Sequence, residues 1–223
     1  MKYVGIDIGG MSVKCGIVAE DGSLLYKNTA PIKVKEEDTL IVREIAELVE
    51  RVLKESGTDK SEIGGIGVGC PGSIYDEKGI VRYCCNINFK NTPIVKLLSE
   101  YTGIKNVKVS NDANCAALGE TMFGAGNGAK NSVVVTIGTG LGTGIIVDGK
   151  LLTGHQSAGA EGGHIQINMG GAMCGCKKRG HYEAYASATA LIAQVTEACK
   201  KYPESLLAKY AEEHGIDGKT VFD

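Results

Sequence analysis

The stretch YVGIDIGGMSVKCGIVAEDGSLLY, residues 3–26, decides the fold. Tyr3 to Asp7 reads as a strand, Gly9-Gly10 as a tight turn and Val13 to Val18 as the returning strand, after which Asp21-Gly22 turns the chain into Leu24-Leu25-Tyr26. The pattern recurs in SVVVTIGTGLGTGIIVDGKLL, residues 132–152, as strand, glycine turn (Gly138 to Gly142), strand, Asp148-Gly149 turn and strand. A glycine turn between strands lets backbone N–H groups approach an anion with no Cβ in the way. Either turn alone is weak evidence, because most glycine hairpins are only turns. Repetition makes the case: two such loops facing one another across a cleft would grip a chain of phosphates.

Between the copies the periodicity predicts a helix over Asp38 to Ser56, with Leu40, Ile41, Ile45, Leu48, Val49, Val52 and Leu53 on one stripe, Asp38 or Thr39 capping its start and Gly57 its end. Strands follow at Ile63 to Gly69 and Val107 to Ser110, with a short helix over Pro93 to Tyr101 and an alanine-rich one from Ala113 to Phe123. Asn127 to Asn131 reads as a linker between halves, and Glu183 to Lys201 and Glu204 to Glu213 as closing helices. Asn111-Asp112 stands where a strand stops, and polar residues at the carboxyl ends of strands line the cleft of open α/β sheets. Geometry therefore places Asp112 at the cleft, although an Asn-Asp pair taken alone more often marks an ordinary turn.

A second signal lies at Glu161-x-x-His164, Cys174-x-Cys176 and His181-x-Glu183. Two imidazoles and two thiols within eighteen positions fit a closed tetrahedral Zn²⁺ site, and a metal there would fix a loop that places Glu161 and Glu183. The plainer alternative is a zinc knuckle with incidental acids. Cys15, Cys70, Cys115 and Cys199 read as small core residues. Lys14 has two readings, an approach to phosphate and a strand lysine facing solvent, of which the second is the plainer.

At 223 residues the chain can bury a sizeable core. A net charge of −2 offers no basic surface to nucleic acid, and no apolar run approaches a membrane span. The opening residues do not form a signal peptide, since Asp7 interrupts a short apolar run, and metal-spaced cysteines suit a reducing cytoplasm.

These motifs resemble those of the ROK sugar kinases of the actin/hexokinase-like ATPase superfamily. The matching features are Asp7-Ile8-Gly9-Gly10, Gly69-Cys70-Pro71-Gly72, Asn111-Asp112-Ala113-Asn114, Gly138-Thr139-Gly140-Leu141-Gly142, Glu161-x-Gly163-His164 and the Cys-x-Cys segment running to Glu183. The resemblance implies an α/β, ribonuclease H-like fold of duplicated domains around a cleft: an ATPase and sugar-binding domain over residues 1–116 and a second domain with the zinc loop over 117–223. It implies ATP and Mg²⁺ as cofactors beside structural Zn²⁺, and a hexose or N-acyl-hexosamine as substrate. Asp112 would be the base; Gly72, Asn111, Glu161, His164 and Glu183 would hold the sugar. Asp7, Gly9, Gly10, Ser12, Gly138, Thr139 and Gly140 would hold Mg²⁺ and phosphates, and His164, Cys174, Cys176 and His181 the zinc. Ser73, Cys85, Asn86 and Asn88 would tune sugar choice, with Phe89 either a sugar-side aromatic or a core residue.

The sequence departs from the family in three places: Met11 replaces a threonine, His181 replaces a cysteine, and the chain ends before the family's last strands. An incomplete second domain with an uncovered apolar sheet edge is therefore expected. Homo-oligomers are common in the family. Two further readings are a sugar-binding, zinc-bound fragment without turnover and a ROK transcription regulator. A regulator would carry a basic recognition helix before the first glycine turn, whose strand here begins within three residues of Met1.

Overall fold

The computed structural model describes residues 1–218, so residues 219–223 of the expected second domain lie outside the described residues. The chain divides into two compact units, one of Met1–Val134 with Gly144–Ala160, the other of Val135–Thr143 with the chain from Glu161 onward.

In the first unit, β1 (Lys2–Ile8), β2 (Ser12–Ala19) and β3 (Leu24–Pro31) are joined by the two glycine-bearing turns and pair antiparallel. Helix α1 (Asp38–Ser56) then carries the chain to β4 (Ile63–Cys70), which lies parallel to β1. A small antiparallel sheet of β5 (Ser73–Tyr75), β6 (Ile80–Tyr83) and β7 (Lys90–Thr92) follows, then α2 (Ile94–Thr102) and β8 (Val107–Asn111), parallel to β4. The main sheet has the order β3-β2-β1-β4-β8. Alternation puts Val4, Ile6, Ile8, Val13, Cys15, Ile66 and Val68 into one core with Ile41, Val42, Ile45, Leu48, Val49 and Val52 of α1.

Helix α1 spans the predicted residues and ends on Gly57, but its start and stripe differ. Leu40 is exposed and Val42 buried, because Val42 lies three and seven residues from Ile45 and Val49. Neither Asp38 nor Thr39 caps it. Glu37 occupies the cap position without a side-chain bond, and Asp38 instead accepts the buried Thr92 hydroxyl at 2.6 Å. Phe89 is a core residue, fully buried.

Helix α3 (Asp112–Phe123) begins where β8 ends, and β9 (Ser132–Ile137), β10 (Leu141–Val147) and β11 (Lys150–Leu151) form the second hairpin sheet. Asp148 and Gly149 both take positive φ, the two-residue hairpin geometry that Asp-Gly signalled. Residues 127–131 are no linker between units. Gly128 N–H donates to Thr121 O, Gly149 N–H to Lys130 O and Asp148 N–H to Asn131 Oδ1, which pins the segment within the first unit. The compact units thus divide the chain differently from the expected boundary at 116–117, since α3 packs on β4 and β8. Val133, Val135 and Ile137 on one face of β9 are exposed.

The second unit holds the 138–142 turn, the Cys/His loop, α4 (Glu183–Ala186), α5 (Ala188–Lys201) and α6 (Leu206–His214). The single helix predicted over Glu183 to Lys201 is broken at Ser187. That residue is extended and buried, its Oγ accepts from Ala190 N–H at 3.1 Å, and Ala188 N–H donates to Gly138 O at 2.9 Å. A tertiary bond and a new N-cap outcompete two intrahelical bonds. Among the described residues no strand follows β11 beyond isolated bridges.

Candidate active site and metal centre

The first unit gathers its functional residues at the carboxyl ends of β1, β4 and β8. Register aligns Asp7 with Gly69, Gly69 with Ser110 and Cys70 with Asn111, so the end of β1 and the start of α3 flank the end of β4. The Asn111 side chain caps α3, its Oδ1 accepting from Ala113 N–H at 3.0 Å and Asn114 N–H at 3.3 Å, while Nδ2 donates to Gly72 O at 3.4 Å. The capping oxygen is thus committed to the helix, and the amide N–H₂ is the group left to face a ligand. Gly72 has φ 97° and leaves no room for a Cβ against the Tyr83 carbonyl, so only glycine closes this loop.

Asp112 occupies the first turn of α3, where Ala113 N–H donates to its Oδ1 at 2.9 Å. Local burial pushes its pKa upward, the Ala113 bond opposes this and the Asp7 charge adds to it. The residue still presents surface to solvent, so a ligand can reach the desolvated carboxyl. Around it, burial raises the Cys70 thiol and pushes Cys115 up to about 11, which keeps both neutral. Cys15 and Cys70 are core residues as expected, whereas Cys115 and Cys199 are only partly buried.

Asp7 is exposed beside the Gly9-Gly10 turn, which Gly9 N–H closes onto Ser12 O at 2.9 Å. Its carboxylate carries an ion pair that the sequence reading missed: Lys14 Nζ stands 2.9 Å from Oδ2. Register gave the signal, because a turn pairing Ile8 with Val13 sets Asp7 opposite Lys14. The Asn86 Cβ lies 3.7 Å from where Gly10 would carry one, bringing the 84–88 loop against the same turn.

In the second unit the ligand atoms of His164, Cys174, Cys176 and His181 all lie within 4.8 Å of one another. Cys174 Sγ is 3.9 Å from His164 Nδ1 and Cys176 Sγ 3.2 Å from His181 Nδ1. Two thiols and two imidazoles at this spacing fit a tetrahedral zinc ion, with Cys174 and His181 buried and the other two exposed. Desolvation and the neighbouring Glu183 carboxylate push Cys174 up to about 11, a proton that a bound cation displaces.

Glu183 joins this cluster to the glycine turn. Oε1 accepts from Cys174 Sγ at 3.2 Å and Oε2 from Leu141 N–H at 3.0 Å. Gly163 packs so closely on the Leu141 carbonyl that a Cβ has no space, and Gly162 N–H donates to Thr143 Oγ1 at 2.8 Å. Within the turn, Gly138 N–H bonds Gly140 O, so the N–H groups of Gly138 and Leu141 are already used. Thr139, exposed, and Gly140 are the turn residues left to meet an anion. Glu161 is exposed at the entry of the 162–164 turn.

The five-stranded sheet with its glycine hairpin, and a second glycine hairpin in a sheet of its own, define an α/β protein of the actin/hexokinase-like class. The chain belongs to the ROK family, whose pattern it matches over residues 3–223. It is 42% identical over 225 residues to a glucokinase of Thermotoga maritima, a match covering 100% of this chain and 69% of that protein. The crystal structure of a ROK family glucokinase from Streptomyces griseus in complex with glucose and AMPPNP is similar at a TM-score of 0.84 and 33% identity, over 99% of this chain and 70% of that one. A xylose repressor of Caldicellulosiruptor bescii is 31% identical over 200 residues, 90% of this chain and 50% of that protein.

Proposed function

We propose that the chain transfers a phosphoryl group from ATP to a hydroxyl of a hexose or N-acyl-hexosamine, with Asp112 as general base. The observation that carries this reading is the placement of Asp112: a desolvated carboxyl with a raised pKa, reachable from solvent, on the same strand ends as Asp7 and the Gly9-Gly10 turn. A raised pKa makes a carboxylate a better proton acceptor. The sugar hydroxyl loses its proton to Asp112 as its oxygen attacks the γ-phosphorus, and positioning carries most of the rate.

Asn111 Nδ2, the Gly72 loop, Glu161, His164 and Glu183 hold ring hydroxyls, and carboxylates suit vicinal hydroxyls because they only accept. Thr139, Gly140, Gly10 and Ser12 receive the phosphates, at turns that Gly9 and Gly138 close through their own N–H groups. Asp7 fits magnesium, which takes one or two carboxylates beside water and phosphate oxygens and supplies neutralisation of the triphosphate. His164, Cys174, Cys176 and His181 would hold a structural zinc with no open position, fixing Glu161 and Glu183. Thiolate ligation of zinc suits a reducing compartment such as the cytoplasm; no described helix is long and apolar enough to cross a membrane.

One observation favours a second reading, sugar binding without turnover: Met11, 87% exposed, stands where the family carries a threonine hydroxyl beside the glycine turn. A coupled assay of ADP release with glucose, mannose, fructose, N-acetylglucosamine and N-acetylmannosamine separates the two. The kinase reading expects turnover dependent on sugar and Mg²⁺ that Asp112→Asn lowers by about 10²–10⁴-fold. Sugar binding with no ADP release would establish the second reading instead.

A further inference from the structure

We infer that Lys14 is a positioning residue that holds the Asp7 carboxylate until metal-bound nucleotide arrives and then passes to the phosphates. The inference rests on the proposed role of Asp7 at the magnesium side of the site. Asp7 and Lys14 are directly opposed across the β1–β2 ladder, and directly opposed residues present their side chains on one face. Lys14 Nζ is 2.9 Å from Asp7 Oδ2, and both side chains are more than half exposed. A solvent-wet pair of this kind is weak and exchangeable. Ser12, two residues before Lys14, shares that face beside the glycine turn.

The chemistry of the two states differs. Without nucleotide, the carboxylate beside the turn is paired with the ammonium, which competes with any free divalent cation. With nucleotide, the triphosphate brings several negative charges to the turn, and the ammonium on its four-carbon stem has a stronger partner within a short swing. Asp7 is then released to the metal that accompanies the phosphates. Lys14 thereby disfavours metal binding alone and favours the metal–nucleotide pair. A merely structural cross-strand pair would compete with the free cation but would not strengthen binding of the metal–nucleotide.

The test titrates Mn²⁺ into the full chain, following free ion by electron paramagnetic resonance, and measures by calorimetry the binding of a non-hydrolysable ATP analogue with Mn²⁺. Lys14→Met is expected to bind Mn²⁺ alone about two- to five-fold more tightly, since its competitor is gone. The same variant is expected to bind the metal–nucleotide about tenfold more weakly, having lost a charged hydrogen bond. Lys14→Arg keeps both values near those of the parent, and Lys14→Gln checks that the result does not depend on methionine. Shifts in the same direction, or no shift in either titration, overturn the inference. Asp7→Asn separates its failure from that of the underlying reading. If Asp7→Asn loses Mn²⁺ binding while Lys14→Met changes nothing, only the role of Lys14 falls. If Asp7→Asn leaves Mn²⁺ binding intact, the metal-side role of Asp7 falls, and that of Lys14 with it.

Discussion

Glu183 accepts the backbone N–H of Leu141 at 3.0 Å, and this bond joins the Cys/His loop to the second glycine turn, beside the close packing of Gly163 on the Leu141 carbonyl. The turn has few other restraints: Gly138 N–H closes it onto Gly140 O, and Thr189 Oγ1 and Ala188 N–H hold it from α5. Removing the carboxylate is therefore expected to loosen the turn and the metal loop together. Glu183→Ala should cost about 1.5–3 kcal/mol, the range for a hydrogen bond to a charged group. Glu183→Gln should cost less, because it keeps an acceptor for Leu141. Urea unfolding of the three proteins reads the order directly, and equal midpoints for Ala and parent would show that the bond does not restrain the turn.

The four-ligand cluster makes a prediction about metal content. The purified chain is expected to hold one zinc ion per molecule by elemental analysis. His181→Ala should lose it and His181→Cys should keep it, since thiolate and imidazole are both ordinary zinc ligands. A metal present at a thousand times its dissociation constant stabilises by about 4 kcal/mol, so stripping it should lower the melting temperature of the parent and leave His181→Ala nearly unchanged. A melting temperature insensitive to chelation in the parent would exclude a structural metal here.

Asp112 sets stability against function. Its folded pKa lies above the unfolded value, so between the two the native state binds more protons than the unfolded state and stability falls as pH rises through the folded value. Asp112→Asn removes that cost. The variant should lose activity yet melt higher than the parent at neutral pH, with the difference disappearing as pH drops below about 3.9, the ordinary aspartate value. The acid limb of kcat/KM in the parent should titrate above the usual carboxylate range. A variant that melts lower at neutral pH would show that the carboxylate supports the fold instead.

Much of this architecture could be read from local chemistry. Helix α1 declared itself by period, the hairpins by Gly9-Gly10 and Asp148-Gly149, and the clustering of two thiols with two imidazoles by the Cys174-x-Cys176 spacing, since each signal is local and has one inexpensive structural solution. Other features depended on partners distant in sequence. The helical period runs straight through Ser187, and only the Ala188 bond to Gly138 reveals the break. The apparent linker at 127–131 is fixed by bonds to the Asp148-Gly149 turn, which no composition rule anticipates. Asn111 looked like a ligand group and is also a helix cap, so half of its amide was already assigned. Phe89 could not be told from a sugar-side aromatic until its burial in the core was seen.

Met11 offers a gain-of-function test. It projects into solvent from the first glycine turn, so replacing it removes no packing, and the stability change should stay within about 0.5 kcal/mol. Met11→Thr supplies the hydroxyl that the family's pattern places beside the phosphates. One added hydrogen bond is worth about 1 kcal/mol, which corresponds to roughly a fivefold change in affinity. The substitution should therefore lower KM for ATP by about that factor, with sugar affinity unchanged because Met11 lies on the nucleotide side of the proposed roles. Steady-state kinetics at saturating sugar measure the first effect and sugar titration by intrinsic tyrosine fluorescence the second. A change in sugar affinity with KM for ATP unmoved would place residue 11 against the sugar and reverse the assignment of the first glycine turn.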